Sequence, residues 1–262
     1  MMPYSRALIY FFSGTGNTYL VAKKIRDVLN ENGLPTDLLP LAKADPVNAN
    51  PDRLIGIGFP VAVHSTYPVV LEFIRRMPVA KSGCSVFLFS TLAGTASGAI
   101  GSIVQILKRK GYRVIAAREI TMPRNFWMTS SDLDLRDGIT EKGLSVAAAF
   151  AGSLLIGDGK IPSAGKAELF FMKLVNTPLT WSICRLAYPL SLRKESCSKC
   201  KICSRICPVG NITMQDYPTI GKNCQICMRC VSYCPSRAIE LGHKQPLVHQ
   251  GVPVSEILSS RL

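Results

Sequence analysis

The chain of 262 residues is short of acid: 17 aspartates and glutamates stand against 31 lysines and arginines, a formal net charge of +14. Its opening stretch, MMPYSRALIYFFSG, has no basic segment ahead of its short apolar run and no small-residue cleavage site, so a secretory leader is not expected. No Gly-Lys-Ser/Thr follows its glycine-rich loop and no GxGxxG turn is present, which excludes a Walker A site and a dinucleotide fingerprint. No acid–base constellation is legible. No apolar run reads as a membrane span. Ser82–Leu107 has 26 residues without a charge, but Gly83, Gly94, Gly98 and Gly101 interrupt it. Leu54–Leu71 is broken by Pro60, His64 and Pro68. Each reads as a strand, a loop and a helix start. The basic residues are dispersed with no reading motif, so nucleic acid is not an expected partner.

Apolar residues make up 47 % and charged residues 18 %. That composition belongs to a folded chain with a sizeable core, in one or two domains. Ten cysteines are present, and eight of them fall between Cys197 and Cys234. In the cytoplasm, the expected location, thiols stay reduced, so clustered cysteines read as metal ligands rather than disulfides.

Residues 1–160 alternate strand and helix patterns. Ala7–Phe12, Asp37–Leu41, Leu54–Phe59, Ser85–Ser90 and Tyr112–Ile120 read as strands. Thr15–Asn32, Pro68–Met77, Ala96–Lys110 and Glu141–Ile156 read as helices. Strands buried on both faces and joined by helices predict a parallel sheet covered on two sides, an α/β fold. Residues 161–196 form a helical linker with two amphipathic segments, Lys166–Asn176 and Leu179–Leu192, divided at Pro178. Residues 197–242 are built around cysteines, and 243–262 are a tail ending in a short helix pattern, Val254–Leu262.

The cysteine region contains a repeat. Cys197-x2-Cys200-x2-Cys203-x3-Cys207-Pro208 recurs 27 residues later as Cys224-x2-Cys227-x2-Cys230-x3-Cys234-Pro235. Three thiolates on a short looping segment and a fourth after x3 suit the corners of a 4Fe–4S cube. Structural zinc, the alternative, prefers paired CxxC units with longer gaps. A second motif, Ser13-Gly14-Thr15-Gly16-Asn17-Thr18, follows the first strand and opens a helix. Backbone N–H groups and hydroxyls at a helix N-terminus suit a phosphate dianion.

The SGTGNT loop resembles the FMN phosphate loop of flavodoxins. Joined to the double cysteine run, the chain resembles the flavodoxin/bis-4Fe–4S ferredoxin fusion family over nearly its whole length. The resemblance implies a flavodoxin-like, doubly wound five-stranded parallel sheet of order 2-1-3-4-5 with a small C-terminal two-cluster ferredoxin domain. It implies FMN and two 4Fe–4S clusters as cofactors. In such ferredoxins the fourth cysteine of each run serves the other cluster. Cluster one then takes Cys197, Cys200, Cys203 and Cys234; cluster two takes Cys224, Cys227, Cys230 and Cys207. The flavin ring is expected against Pro60, Val61, Ala62, Val63 and His64, and against Ser90, Thr91, Leu92, Ala93 and Gly94. Unlike simple flavodoxins the chain is basic, and neither ring loop carries a Trp. Tyr67, Phe126 and Trp127 are the nearest aromatics, with Met122–Phe126 a third loop in reach; the alternative is that they only pack a domain interface. Cys84 reads as a buried, inert thiol and Cys184 as linker packing.

The function this implies is electron transfer between two clusters and FMN, to or from a redox protein partner. A net basic carrier should be steered to an acidic docking face. The alternative is a flavin-dependent reductase of a small molecule fed by the clusters, with His64, Tyr67 and Arg124 as proton-donor candidates. The 166–194 stretch is expected to pack between domains, with contact to a membrane surface as the other reading.

Overall fold

The computed structural model describes residues 3–46, 52–80, 83–94, 98–162, 165–242, 244 and 246–259. Its first part runs β1 (Arg6–Phe11), α1 (Asn17–Glu31), β2 (Thr36–Pro40), β3 (Arg53–Ala62), β4 (Ser65–Thr66), α2 (Pro68–Arg76), β5 (Ser85–Leu92), α3 (Ala99–Arg109), β6 (Arg113–Thr121), α4 (Ser130–Asp134) and α5 (Arg136–Ile156). The sheet order is β2-β1-β3-β5-β6, and these five strands are all parallel. With the two-residue β4 set aside, that is the 2-1-3-4-5 order of a flavodoxin-like sheet. Because the strands are parallel, all their carboxyl ends open on one edge. The order reverses between β1 and β3, so a crevice forms there.

Each face of the sheet is covered. Tyr10, Ile55, Ile57 and Leu88 meet α2 and α3 on one side. Ile9, Phe11, Leu54, Phe87 and Phe89 meet α1 and α5 on the other. Helix α5 is long and apolar enough to cross a membrane by length and composition. Ala147, Phe150, Ala151 and Leu154 are nonetheless buried in the second core, which is the behaviour of a helix lying on a sheet. The LIGIGF strand carries two glycines for a packing reason. A Cβ on Gly56 would strike the Phe87 ring, and one on Gly58 would fall into the Phe89 ring.

Strand β3 runs past the expected Phe59 through Pro60 to Ala62, then folds back as β4. The two-residue turn between them, Val63 and His64, has φ of 50° and 58°. A primed hairpin turn requires that conformation, though a β-branched valine adopts it only under strain. The expected helix start at Ala96 lies outside the described residues; α3 is described from Ala99.

The second part runs α6 (Lys166–Val175), α7 (Pro178–Ala187), β7 (Leu190–Leu192), α8 (Ile202–Ile206), β8 (Ile212–Met214), β9 (Pro218–Ile220), α9 (Arg229–Ser232), β10 (Ile239–Leu241) and α10 (Val254–Ser259). Strand β7 pairs antiparallel with β10, and β8 with β9. The sequence repeat is also a structural one. Helix α9 starts 27 residues after α8, and β10 starts 27 after β8. Positive φ recurs with the same period, at Lys199 and Ile226, at Lys201 and Met228, and at Gly210 and Arg237. This unit has a small core of its own, with Ile212, Met228, Val231, Ile239 and Leu241, and it also meets the sheet's helices: Ile206, Tyr233, Val252 and Ile257 join the α1–α5 core.

Gly58→Ala should lower the unfolding free energy in urea by about 1–3 kcal/mol, because the Phe89 ring has no space to retreat into. An unchanged urea midpoint would contradict that packing.

Candidate functional site

The carboxyl edge of the sheet holds a space of about 170 Å3 lined by Ser13, Gly14, Thr15, Asn17 and Thr18 of the first loop, Pro60 and Val61 of β3, Thr91 to Ala93, and Met122 to Phe126. The side chains that shape it are tied together. Thr18 and Thr91 share a hydroxyl hydrogen bond of 2.7 Å. Asn17 donates to the Pro123 carbonyl at 2.7 Å, and Asn125 donates to Thr15 Oγ1 at 3.2 Å. Helix α1 opens at Gly16 with no side-chain cap and no acid in its first turn. Its N-terminus, with Arg124 in the same lining, is therefore free to meet an anion.

What orients this loop lies far along the chain. Arg229 is buried. Its Nε donates to Gly14 O at 3.2 Å, Nη2 to Ser13 O, and Nη1 to Ile206 O at 3.1 Å. Thr15 O accepts from the Tyr233 hydroxyl at 3.0 Å and from Gly251 N at 2.7 Å. Three successive carbonyls are thus held from behind by the cysteine-rich unit and the tail. In a trans peptide the N–H points opposite to the C=O, so the amides of Gly14, Thr15 and Gly16 are turned away from that unit. The Gly16 amide bonds Ser13 Oγ at 3.2 Å. The other two face the side on which the cavity lies. Gly14 touches the unit so closely that a Cβ would overlap the Cys227 carbonyl.

A second, larger space of about 410 Å3 adjoins the first through Val61, Tyr67, Asn125 and Phe126. Ala62, Val63, His64, Trp181, Cys184, Tyr188, Gln225 and Ile226 complete it. Tyr67 is packed between Phe12, at 5.1 Å, and Trp181, at 5.7 Å. Burial, with Cys227 and Cys224 nearby, pushes its phenol far above the ordinary range. Phe126 lines both spaces. Trp127 stacks on Phe126 at 5.6 Å from outside and is 60 % exposed.

The cysteines form two groups. Cys197, Cys200, Cys203 and Cys234 line one small space. Cys207, Cys224, Cys227 and Cys230 line another. No disulfide joins any of the ten cysteines. Among the described residues, no group of three or more His, Cys, Asp or Glu is placed to hold a single metal ion. Backbone N–H groups point at the sulfurs in equivalent places: Asn211 at Cys207 and Ala238 at Cys234, each 3.2 Å, and Ile226 at Cys224, 3.3 Å. Burial pushes the Cys203 and Cys224 thiols up to about 11, and Cys230 well up. Such thiols ionise at neutral pH only when a bound cation replaces the proton. Gln225 and Ile226 line both the second cysteine space and the 410 Å3 cavity, and so form the wall between them.

Of the residues singled out in the sequence, Gly16, Ser90 and Gly94 line neither sheet-edge cavity. Gly16 packs against Gly251 and Val252 of the tail, so that a Cβ would meet the Val252 amide at 2.9 Å. Ser90 follows Phe89 and precedes Thr91 on β5; alternation turns it to the other face of the sheet, fully buried. Gly94 is exposed. Arg229, Tyr233 and His249 were not legible as site residues. Nothing in a cysteine spacing marks which intervening side chain will reach a loop more than 200 positions away.

Comparison with protein-family models gives no match, and neither does comparison with curated proteins. Solved structures that match part of this chain include a flavodoxin from the domain Archaea, 15 % identical, covering 55 % of this chain and 97 % of its own, with a TM-score of 0.37. Megasphaera elsdenii flavodoxin is 21 % identical over 55 % of this chain and 98 % of its own, TM-score 0.39. Flavodoxin 1 from Bacillus cereus is 16 % identical over 56 % and 98 %, TM-score 0.41. The fold assignment itself rests on the strand order and parallel register described above.

Two outcomes follow from the contacts behind the loop. Arg229→Lys keeps the charge but has no fork to reach three carbonyls, and should cost about 2–4 kcal/mol in urea unfolding. His249 is buried, with Nε2 donating to Asn17 Oδ1 at 2.6 Å. Burial, aided by Arg136, pulls its pKa from 6.5 to about 4. The neutral ring's contribution is complete above pH 6.5 and is lost as pH falls toward 4. His249→Phe should flatten that part of the stability profile; two parallel profiles would refute the assignment.

Proposed function

We propose that this protein is an electron carrier that holds FMN at the carboxyl edge of its sheet and two 4Fe–4S clusters in its cysteine-rich unit. The observation that carries the reading is the Gln225–Ile226 wall, which is shared by one four-cysteine space and the larger sheet-edge cavity. A cluster behind that wall and a flavin ring in front of it would be neighbours.

Ser13, Gly14, Thr15, Asn17 and Thr18, with Arg124, suit the phosphate. Val61 to His64, Tyr67 and Phe126 suit the ring. Cys207, Cys224, Cys227 and Cys230 would hold the inner cluster, and Cys197, Cys200, Cys203 and Cys234 the outer one. The absence of a single-ion site among the described residues is compatible with this, because the four thiolates of a cube bind four different irons and stand further apart than the ligands of one zinc. When bound, the clusters supply single electrons and FMN takes one or two. The chain's own part is to hold the cofactors close, keep water from the inner cluster, and tie both sites together through Arg229.

The outer site supports a docking role. Cys200 is exposed, and Arg193, Lys194, Lys199, Lys201 and Arg205 are exposed around it, against the exposed acids Glu195 and Asp216. This surface suits a redox protein with an acidic face. The reductase reading has weaker support. His64 stands exposed on its turn, edge-on to Phe171 at 6.0 Å. Tyr67 is held neutral by burial, and Arg124 faces Asp132 at 3.8 Å.

Anaerobic purification followed by assay of iron, sulfide, zinc and flavin in one sample tests the reading. About eight iron, eight sulfide and one FMN per chain are expected. Zinc in place of iron, with no flavin, would overturn it.

A further inference from the structure

Helices α6 and α7, joined through Asn176 and Thr177, each leave an outward face uncovered. Phe170 is 64 % exposed, Phe171 44 %, Leu174 57 %, Leu179 68 %, Ile183 56 % and Leu186 82 %. Phe170 and Leu174 on α6 are four residues apart, and Leu179, Ile183 and Leu186 on α7 are four and three apart, so each set shares a face; Phe171 turns toward His64. The opposite faces anchor the two helices: Met172, Val175 and Trp181 are buried, and Trp181 belongs to the α2–α3 core. The expected interdomain packing therefore accounts for the inner side only. Five large apolar side chains on these two faces are more than the scattered exposure normal for a monomer surface.

Two features select the occupant. First, the hydroxyls of α6 and α7 and the Glu168 carboxylate spend their hydrogen bonds within the two helices. Thr177 and Thr180 bond each other at 3.0 Å, Thr180 also donates to Leu174 O at 3.2 Å, Ser182 donates to Pro178 O at 3.0 Å, and Glu168 accepts from Gly165 N at 3.0 Å. Apolar faces with few directional groups suit hydrocarbon, where an unmet donor or acceptor is costly, better than a protein partner, which supplies hydrogen bonds. Second, residues 165–188 carry Lys166, Lys173 and Arg185 against the single acid Glu168. Glu168 is engaged at the helix start and Arg185 at the Cys224 carbonyl, while Lys173 is exposed. An exposed lysine beside aliphatic and aromatic side chains, on a segment of net positive charge, is the pattern of an interfacial helix on anionic lipid.

We propose that α6 and α7 seat this protein on the surface of an anionic bilayer, with Phe170, Leu174, Leu179, Ile183 and Leu186 entering the acyl boundary. Helix α7 also bounds the 410 Å3 cavity through Trp181 and Cys184, so the lipid would lie directly over the ring end of the site.

Flotation of the full chain, as purified with its cofactors, tests this. Vesicles of phosphatidylcholine with about 30 % phosphatidylglycerol should carry at least about tenfold more protein than phosphatidylcholine alone, and added salt should reduce the difference. The double variant Leu179→Asp, Leu186→Asp changes exposed positions only; it should keep its circular dichroism and lose about tenfold or more of the binding. Phe170→Ser should move binding in the same direction. No flotation on anionic vesicles, or equal flotation of the double variant, would overturn the proposal. So would a concentration-dependent dimer in sedimentation velocity that the double variant abolishes, since the face would then belong to a second copy. The readout is binding, so its failure leaves the electron-transfer reading untouched.

Discussion

The carboxyl edge of this protein depends on one buried cation. The Arg229 guanidinium reaches the carbonyls of Ser13, Gly14 and Ile206 from a position between two cysteines, Cys227 and Cys230. Burial disfavours its charge, and the sulfurs of Cys227, Cys207 and Cys230 oppose that penalty. A guanidinium does not lose its proton in a protein, and here three carbonyl oxygens receive its N–H groups. Loop 13–18, the inner cysteine site and the tail through Thr15 are consequently parts of one arrangement.

That arrangement explains why the cysteine-rich unit is not an appended bead. Its Ile206 and Tyr233 and the tail's Val252 and Ile257 share the α1–α5 core, and Trp181 of α7 shares the other. Both cores are apolar and non-directional, so they supply affinity between the parts. The carbonyl contacts of Arg229, Tyr233 and Gly251 supply orientation. Glycines at 14 and 16 keep the approach close, because side chains there would meet the Cys227 carbonyl and the Val252 amide.

Much of this is legible in the sequence. Parallel strands follow from continuous apolar runs such as ALIYFF joined by helical periods, and the five strand boundaries read from pattern fall within about three residues of those observed; α5 starts five residues before the expected Glu141, and Leu190–Leu192, expected inside the helical linker, is strand β7. The SGTGNT loop is legible as the link from strand to helix, because glycine and small hydroxyl residues suit a tight turn there. The twofold repeat was legible as arithmetic, and α8 and α9, with β8 and β10, obey the same 27-residue period. The β4 hairpin was not: Pro60 reads as the end of a strand, and Val63 at positive φ contradicts its own preference. The exposure of the outward faces of α6 and α7 was not legible either, since a helical period says which residues share a side but not whether that side is covered.

Local pattern therefore determined the sheet order's ingredients, the glycine-rich loop between β1 and α1 and the cysteine spacing, because each is set by residues within a few positions of one another. Only the tertiary structure decided that Gln225 and Ile226 separate one four-cysteine space from the sheet-edge cavity, and that Arg229, Tyr233 and His249 stand behind the loop. Those relations join residues up to 232 positions apart. They arise from how two packed units meet, and a one-dimensional pattern carries no record of that.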